Sequence, residues 1–356
     1  MSEAEIRYTV VVPTTGRATL GELLAALPSS PPPEEVVVVD DRPGERDELL
    51  LPDGTVSMRV LSSGGRGPAG ARNVGWRAAG TPWVVFLDDD VVPTPEWGPA
   101  LRRDLEEASD EVAGSQGRIV VPLPRHRAPT DLERGTAGLA GAWWITADMA
   151  YRSHALAEVG GFDERFPRAY REDADLALRV RARGYRLTWG TRRTLHPVRP
   201  AGFLASLWAQ AGNADNAAMR RKYGPSWRRH SGEGPGRTAR HAITTGAALV
   251  ATGGAVRAGR GAVTATATVV WLGLTAEFAW RRIAPGPRTP AEIARMVVTS
   301  AAIPPAACWH RLRGEIRARP RETTRDDSAE AGRDRTHGTA APEVTRPVGR
   351  AREAVR

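Results

Sequence analysis

Trp83-Val84-Val85-Phe86-Leu87-Asp88-Asp89-Asp90-Val91-Val92-Pro93 opens as a bulky apolar run, bounded upstream by Gly80 and Pro82, and carries three carboxylates behind it. Such a run predicts a strand buried on both faces. Alternation along an extended chain sends Asp88 and Asp90 to one side and Asp89 to the other. Ligands of open α/β sheets sit at strand ends. Two carboxylates on one side of such an end suit a hard divalent cation, which takes oxygen ligands and shares them with substrate phosphates. The plainer reading is an acidic turn that caps the strand, and the rest of the chain has to separate the two.

Upstream, Tyr8-Thr9-Val10-Val11-Val12-Pro13 predicts a first strand, and Leu20, Leu23, Leu24 and Leu27 have the spacing of a helix that stops at Pro28. Val36-Val37-Val38-Val39 followed by Asp40-Asp41 gives a second strand with acids at its end, and Met58-Arg59-Val60-Leu61 a third. Continuous apolar strands separated by helices indicate a largely parallel sheet covered on both faces. Gly65-Arg66-Gly67-Pro68-Ala69-Gly70 then fits G-x-G-x-x-G between a strand and a helix, so an NAD(P)-dependent oxidoreductase is an alternative. Against it, the glycines follow the third strand instead of the first, and Pro68 removes a backbone N–H from the turn that would bind a pyrophosphate.

Downstream, a helix is expected from Pro95 to Ala108, a strand at Arg118-Ile119-Val120-Val121, and a long loop from Pro122 to Gly141. Trp143 and Trp144 either stack on a sugar ring or pack a buried sheet edge; both readings stay open. Leu176, Ala177 and Val180 form the apolar stripe of a helix that ends at Gly184, with Glu172 and Asp173 in its first turn. Acids there complement the helix dipole, and the same dipole keeps a carboxylate ionised, as a base must be. His196 follows the strand Tyr185–Trp189 and its continuation.

The formal net charge of +9 over 356 residues admits nucleic acid or an anionic membrane as a partner. Lys222 is the only lysine, the arginines are spread along the chain as a GC-rich coding bias would spread them, and no zinc-finger spacing or aromatic RNA-binding signature is present. A basic, non-catalytic nucleic-acid-binding protein is thus the weaker alternative, and no nucleic acid is expected. Cys308 is the only cysteine, which excludes an intrachain disulfide and a cysteine metal cluster. Met1-Ser2-Glu3-Ala4-Glu5 shows no secretory n-region, so a cytoplasmic location is expected.

Beyond the Gly-, Arg- and Pro-rich stretch that ends near Arg240, three apolar segments follow: Ile243 to Val256, Ala262 to Trp280, and Ile293 to Trp309 interrupted by Pro304-Pro305. Arginines and tryptophans at their boundaries suit helices that lie on or dip into an anionic membrane, at the inner face of the plasma membrane. A soluble helical subdomain packed on the core is the other reading. The expected organisation is a catalytic domain over 1–230, a linker over 231–240, membrane-associated helices over 241–312 and a disordered tail over 313–356.

Six motifs occur in one order: Val11-Val12-Pro13-Thr14, Val38-Val39-Asp40-Asp41, Ala71-Arg72-Asn73-Val74-Gly75, Phe86-Leu87-Asp88-Asp89-Asp90, Gly160-Gly161-Phe162-Asp163-Glu164 and Glu172-Asp173-Ala174-Asp175-Leu176. That order resembles the family 2 glycosyltransferases of GT-A fold, over about the first 200 residues. The resemblance implies an α/β, Rossmann-like, mostly parallel sheet flanked by helices, here with a C-terminal helical region added. It implies a nucleotide-diphospho-sugar donor and inverting, metal-dependent transfer to a hydroxyl acceptor, lipid-linked or glycan. Donor contacts would come from Thr14, Asp40 or Asp41 (nucleotide base), Arg66, Arg72, Asn73, Asp88 and Asp89. Asp90, with Asp88 and the downstream His196, would hold Mg²⁺ or Mn²⁺. Asp173 resembles the general base, with Glu172 beside it. Trp143, Trp144 and Asp148 fall where acceptor contacts are expected, although relatives commonly carry Asn at the position of Asp148. The Q-x-x-R-W signature of processive synthases has no counterpart, which implies single-sugar transfer.

Overall fold

The computed structural model describes residues 6–27, 31–44, 47, 49, 51, 56–256 and 261–317. Its strands are β1 (Tyr8–Thr14), β2 (Glu35–Asp40), β3 (Met58–Ser62), β4 (Trp83–Leu87), β5 (Val92–Pro93), β6 (Val112–Val120), β7 (Asp148–Arg152) and β8 (Arg186–Leu195). Its first six helices are α1 (Thr19–Ala26), α2 (Gly67–Ala78), α3 (Trp97–Glu106), α4 (Asp131–Ala137), α5 (Ser153–Glu158) and α6 (Glu172–Ala182). Six more follow: α7 (Ala205–Trp208), α8 (Asn213–Tyr223), α9 (Trp227–His230), α10 (Thr238–Val256), α11 (Ala262–Ile283) and α12 (Pro290–Arg317). The described strands form one sheet in the order β3-β2-β1-β4-β7-β6-β8-β5.

The half built from β3, β2, β1 and β4 is parallel, as the apolar runs require. The other half is mixed, because β7 runs antiparallel to both β4 and β6. Val36 to Val39 are all fully buried. Val36 and Val38 join Tyr8, Val10, Val12, Leu23 and Trp97 on one face, while Val37 and Val39 join Val11, Ala69, Leu176 and Ala177 on the other. Each such side chain contributes about 1.5–3 kcal/mol when fully buried, so the alternating burial fixes the register of β2 against slippage. On the second face α2 lies close to the sheet: a Cβ at Gly75 would stand 2.3 Å from Val11 Cγ1.

Two predicted strand limits differ. β4 ends at Leu87, and the chain turns through Asp89 and Asp90, so the alternation expected of the three acids stops before they begin. β6 is nine residues long where four were expected. Its first part, Ala113-Gly114-Ser115-Gln116-Gly117, has little intrinsic strand preference and is extended because β7 and β8 pair with it on either side.

The C-terminal helices divide into two kinds. α12 is one continuous helix with Pro304 and Pro305 inside it, in place of the interruption expected there. Met296, Ile303, Pro304 and Ala307 are buried, and Gly314 lies against the backbone of Ala214 in α8, so tertiary packing offsets the lost backbone bonds. α10 and α11 pack on each other and on α12, and leave Ile243, Leu249, Val263, Val269 and Leu272 exposed. Arg282 fastens the end of α11: its guanidinium reaches Asp131 Oδ2 at 2.7 Å, Thr299 Oγ1 at 2.8 Å and Ser206 Oγ at 3.0 Å. Glu277 in α11 is matched by Arg237, Arg240 and Arg281. The tail expected from 313 begins with residues that continue α12 to Arg317; the remainder lies outside the described residues.

Candidate active site

One open cleft of about 290 Å³ lies over the ends of β1, β2 and β4, lined among others by Thr14, Asp41, Arg72, Asp88, Asp90, Glu172, Asp173 and His196. It sits where strand order changes direction in open α/β sheets, because β1 is flanked by β2 on one side and β4 on the other.

At one end is Asp41, whose Oδ1 accepts from Ser63 Oγ at 2.6 Å and from the Gly67 N–H at 3.1 Å. Gly67 opens α2 with φ +85°, so an aspartate occupies the helix start that a pyrophosphate takes in dinucleotide-binding proteins. That arrangement removes the main support for an oxidoreductase. Asp40 is held by Arg42, with Arg42 Nη2 2.6 Å from its Oδ2, and does not line the cleft.

The acidic turn forms the middle. Asp89, 1% exposed, accepts from Thr14 Oγ1 at 2.7 Å and pairs with Arg17. Asp88 takes Arg72 Nη2 at 2.7 Å. Asp90 has Arg199 Nε at 2.9 Å and His196 Nε2 at 3.9 Å. Burial, and then the charge of Asp88, push the Asp90 carboxyl upward; His196 and Arg199 oppose this. Two carboxylates and an imidazole, with Arg72 and Arg199 already beside the carboxylates, are a donor set of oxygen and nitrogen that suits Mg²⁺ or Mn²⁺. Among the described residues no three Asp, Glu, His or Cys side chains are gathered closely enough to hold such an ion alone, so ligand phosphates and water would complete its shell.

At the far end the first turn of α6 presents Glu172 and Asp173. Arg72 is wholly buried between the two foci, its Nη1 2.8 Å from Glu172 Oε1. Burial, and then Asp173, push the Glu172 carboxyl up to about 8, against the pull of Arg72. Burial raises Asp173 as well, while the Ala174 N–H at 2.7 Å, Arg72 and Arg171 draw it back. Burial raises both carboxyls, so the neighbouring pair titrates as a unit, and Asp173, which lines the cleft, is the candidate to accept a proton.

Several expected site residues lie elsewhere. Asn73 faces away from the cleft; its amide donates to Phe162 O and Glu164 Oε1, both at 2.9 Å, and ties α2 to the Gly160–Glu164 turn. Arg66 stands at the mouth of α2, half exposed and 3.9 Å from Glu164, and is not among the lining residues. Asp148, the first residue of β7, is fully buried and saturated by Trp97 Nε1 at 2.7 Å, Arg192 Nε at 2.7 Å and Thr194 Oγ1. Trp144 is buried against Trp189 and Trp143 packs over Gly232, so the pair serves the core and not the cleft. The wall on that side is Leu139, Ile145, Thr146, Ala147 and Ala169. Arg17 and Arg199 were missed; the only signal in the sequence is that each is a cation in a loop just after a strand whose end carries a site residue.

The comparisons fit this geometry. Residues 9–177 match the family described as Glycosyl transferase family 2, and that stretch is a family 2 glycosyltransferase domain of GT-A fold. The chain is similar to the pre-mycofactocin glycosyltransferase of Mycobacterium tuberculosis (strain CDC 1551 / Oshkosh), 34% identical over 137 residues, 35% of this chain and 28% of that protein. It therefore spans under a third of the length of that relative. The mannosyltransferase PcManGT from Pyrobaculum calidifontis, solved in complex with GDP-Man and Mn²⁺, superposes with a TM-score of 0.51 at 20% identity, over 84% of this chain and 88% of that one.

Proposed function

We propose that this chain transfers one sugar, with inversion, from a nucleotide-diphospho-sugar to a hydroxyl group of a lipid-linked or glycan acceptor. The observation that carries this is the convergence of Asp41, the Asp88–Asp90 turn and the Glu172–Asp173 pair on one cleft. Asp41 receives the nucleotide end of the donor, beside the start of α2. Asp88, Asp90 and His196 would hold Mg²⁺ or Mn²⁺, which would supply a Lewis acid to the leaving diphosphate. Asp173 takes the proton of the acceptor hydroxyl as it attacks the anomeric carbon from the side opposite the diphosphate. Glu172 and Arg72, 2.8 Å apart, fix the neighbourhood of that base. The similar mannosyltransferase, complexed with GDP-Man and Mn²⁺, supports the donor class. Calorimetric titration with GDP-mannose, UDP-glucose and a dTDP-sugar should show binding of one of them that requires Mn²⁺ or Mg²⁺. Binding of NADH without metal, and of no nucleotide sugar, would overturn the reading.

A lipid-linked acceptor is favoured because Leu139, Ile145, Ala147 and Ala169 give the cleft that holds Asp173 an apolar part of its lining. α11 is the one described helix long and apolar enough to cross a membrane by length and composition, and it is little buried. Trp208, Trp280 and Trp309 are exposed, a residue type enriched at membrane interfaces. We read α10 and α11 as resting on an anionic membrane while α12 packs on the catalytic unit. The full chain should sediment with vesicles containing anionic lipid, and a variant lacking residues 241–283 should stay in solution. Equal partition of both would remove the membrane from the reading.

A further inference from the structure

The base is the first-turn residue of a helix whose start is strained. Arg171, immediately before Glu172, has φ +84° and ψ −17°, a left-handed backbone that a side chain longer than glycine's disfavours. Such a conformation persists only where the surroundings over-determine it. Here they do. The Arg171 guanidinium makes a two-oxygen contact with Glu233, its Nη2 standing 3.1 Å from Oε2, and its Nε donates to Asn216 Oδ1 at 2.8 Å. It lies 4.2 Å from the ring centre of Tyr170 and 4.7 Å from that of Trp227. Arg228 shares Glu233 and stacks on Trp227, at 2.6 Å and 4.5 Å.

We propose that Arg171 is a positioning residue for Asp173, clamped by α8, α9 and Glu233. The proposal rests on the reading of Asp173 as the base. Asn216, Trp227 and Glu233 all lie beyond residues 9–177, so the segment after the family domain sets the geometry of its first α6 turn. The clamp acts twice. It holds the chain reversal that brings Glu172 and Asp173 to the cleft, and it keeps a cation near Asp173 that favours the ionised carboxylate. The other groups that act on Asp173 are Glu172 on its own helix, Arg72 from α2, Asp88 after β4 and Tyr151 from β7. Arg171 itself does not line the cleft, so it has no direct hold on the donor.

Two substitutions separate the roles. Arg171→Lys keeps the charge but loses the planar fork that matches a carboxylate and stacks on aromatic rings. Arg171→Gly adopts the left-handed backbone freely but loses both clamp and charge. Turnover of GDP-mannose, UDP-glucose or the dTDP-sugar, whichever the calorimetry selects, is read as released GDP, UDP or dTDP with water as acceptor. Both variants should lower kcat, roughly 10²-fold for a misplaced reacting group, with donor affinity unchanged. The acid limb of the kcat–pH profile should stay in place for Arg171→Lys and move to higher pH for Arg171→Gly, because removing a cation raises the pKa of Asp173. Unchanged kcat and acid limb in Arg171→Lys would overturn the proposal, as would a parallel loss of donor affinity, which marks a general structural role. If Arg171→Gly does not fold, the kcat and affinity of Arg171→Lys decide alone. Asp173→Asn is run alongside: if it turns over normally the base assignment falls, whereas a dead Asp173→Asn with a normal Arg171→Lys removes only the clamp.

Discussion

Asp173→Asn is expected to lower kcat by about 10²–10⁴-fold, the usual contribution of a positioned base, while metal-dependent donor binding measured by calorimetry persists. The amide keeps the size of the carboxylate and can still accept from the Ala174 N–H, but it cannot take a proton. Asp173 stands in the cleft with its pKa raised by burial, so wild-type kcat should fall with acid at a pH above the ordinary carboxylate range. That acid limb should vanish in the variant. Glu172→Gln gives the sharper contrast. Burial pushes the Glu172 carboxyl up to about 8, and a glutamine there keeps a carbonyl oxygen for Arg72. Its kcat at pH 7 should therefore fall much less than that of Asp173→Asn. The reverse order would move the base to Glu172. Asp175→Asn belongs to stability instead: Asp175 is fully buried and meets Arg179 at 2.8 Å, the Tyr223 hydroxyl at 2.7 Å and Lys222. Removing the charge from such a network should cost about 3 kcal/mol, visible as a lower Tm.

These three neighbouring acids show what a sequence can and cannot display. Their helix, its apolar stripe and its stop at Gly184 follow from periodicity, as do the parallel strands β1, β2 and β4. Position after a strand or at a helix start then brings Asp41, Asp88, Asp90, Asp173 and His196 to the same cleft. Partner choice does not follow from such local rules. Asp148 reads like any acid of a possible acceptor site until Arg192, 44 positions later, and Trp97, 51 positions earlier, close on it inside the core. Asn73 similarly spends its amide on a turn 89 residues away. Antiparallel β7 and the small-residue part of β6 are set by pairing across the sheet, which no window of ten residues contains. Pro304-Pro305 reads as a break because local propensity says so, and the packing of α12 on α8 overrides it. In each case the competing term is a long-range contact that outweighs a local preference of a few kcal/mol at most.

Asp90→Asn should abolish the metal dependence of donor binding and weaken the donor by about 10²-fold or more, at or above the upper end of the loss seen when groups supporting a metal ligand are removed. Asp90 stands in the turn just after β4, 5% exposed, with Arg199 at 2.9 Å and His196 at 3.9 Å, and with Asp88 as the like charge that repels it. A divalent cation gains most from the carboxylate that burial and a like charge have made costly to keep ionised, which is why this residue and not Asp89 is substituted. Asp89 already has its two oxygens committed, one to Thr14 and one to Arg17, and its loss would disturb the loop after β1 as well as the cleft. Neutralising Asp90 removes a buried charge and its repulsion with Asp88, so the unliganded variant should unfold at a Tm no lower than the wild type. The wild type should gain Tm when donor and Mn²⁺ are added together, because a ligand that binds only the native state stabilises it in proportion to RT ln(1 + [L]/Kd). The variant should show no such gain. A full, Mn²⁺-dependent Tm gain in Asp90→Asn would place the cation on other groups, whereas a Tm gain that is equal with and without Mn²⁺ in both proteins would mean that Arg17 and Arg199 hold the diphosphate without a metal.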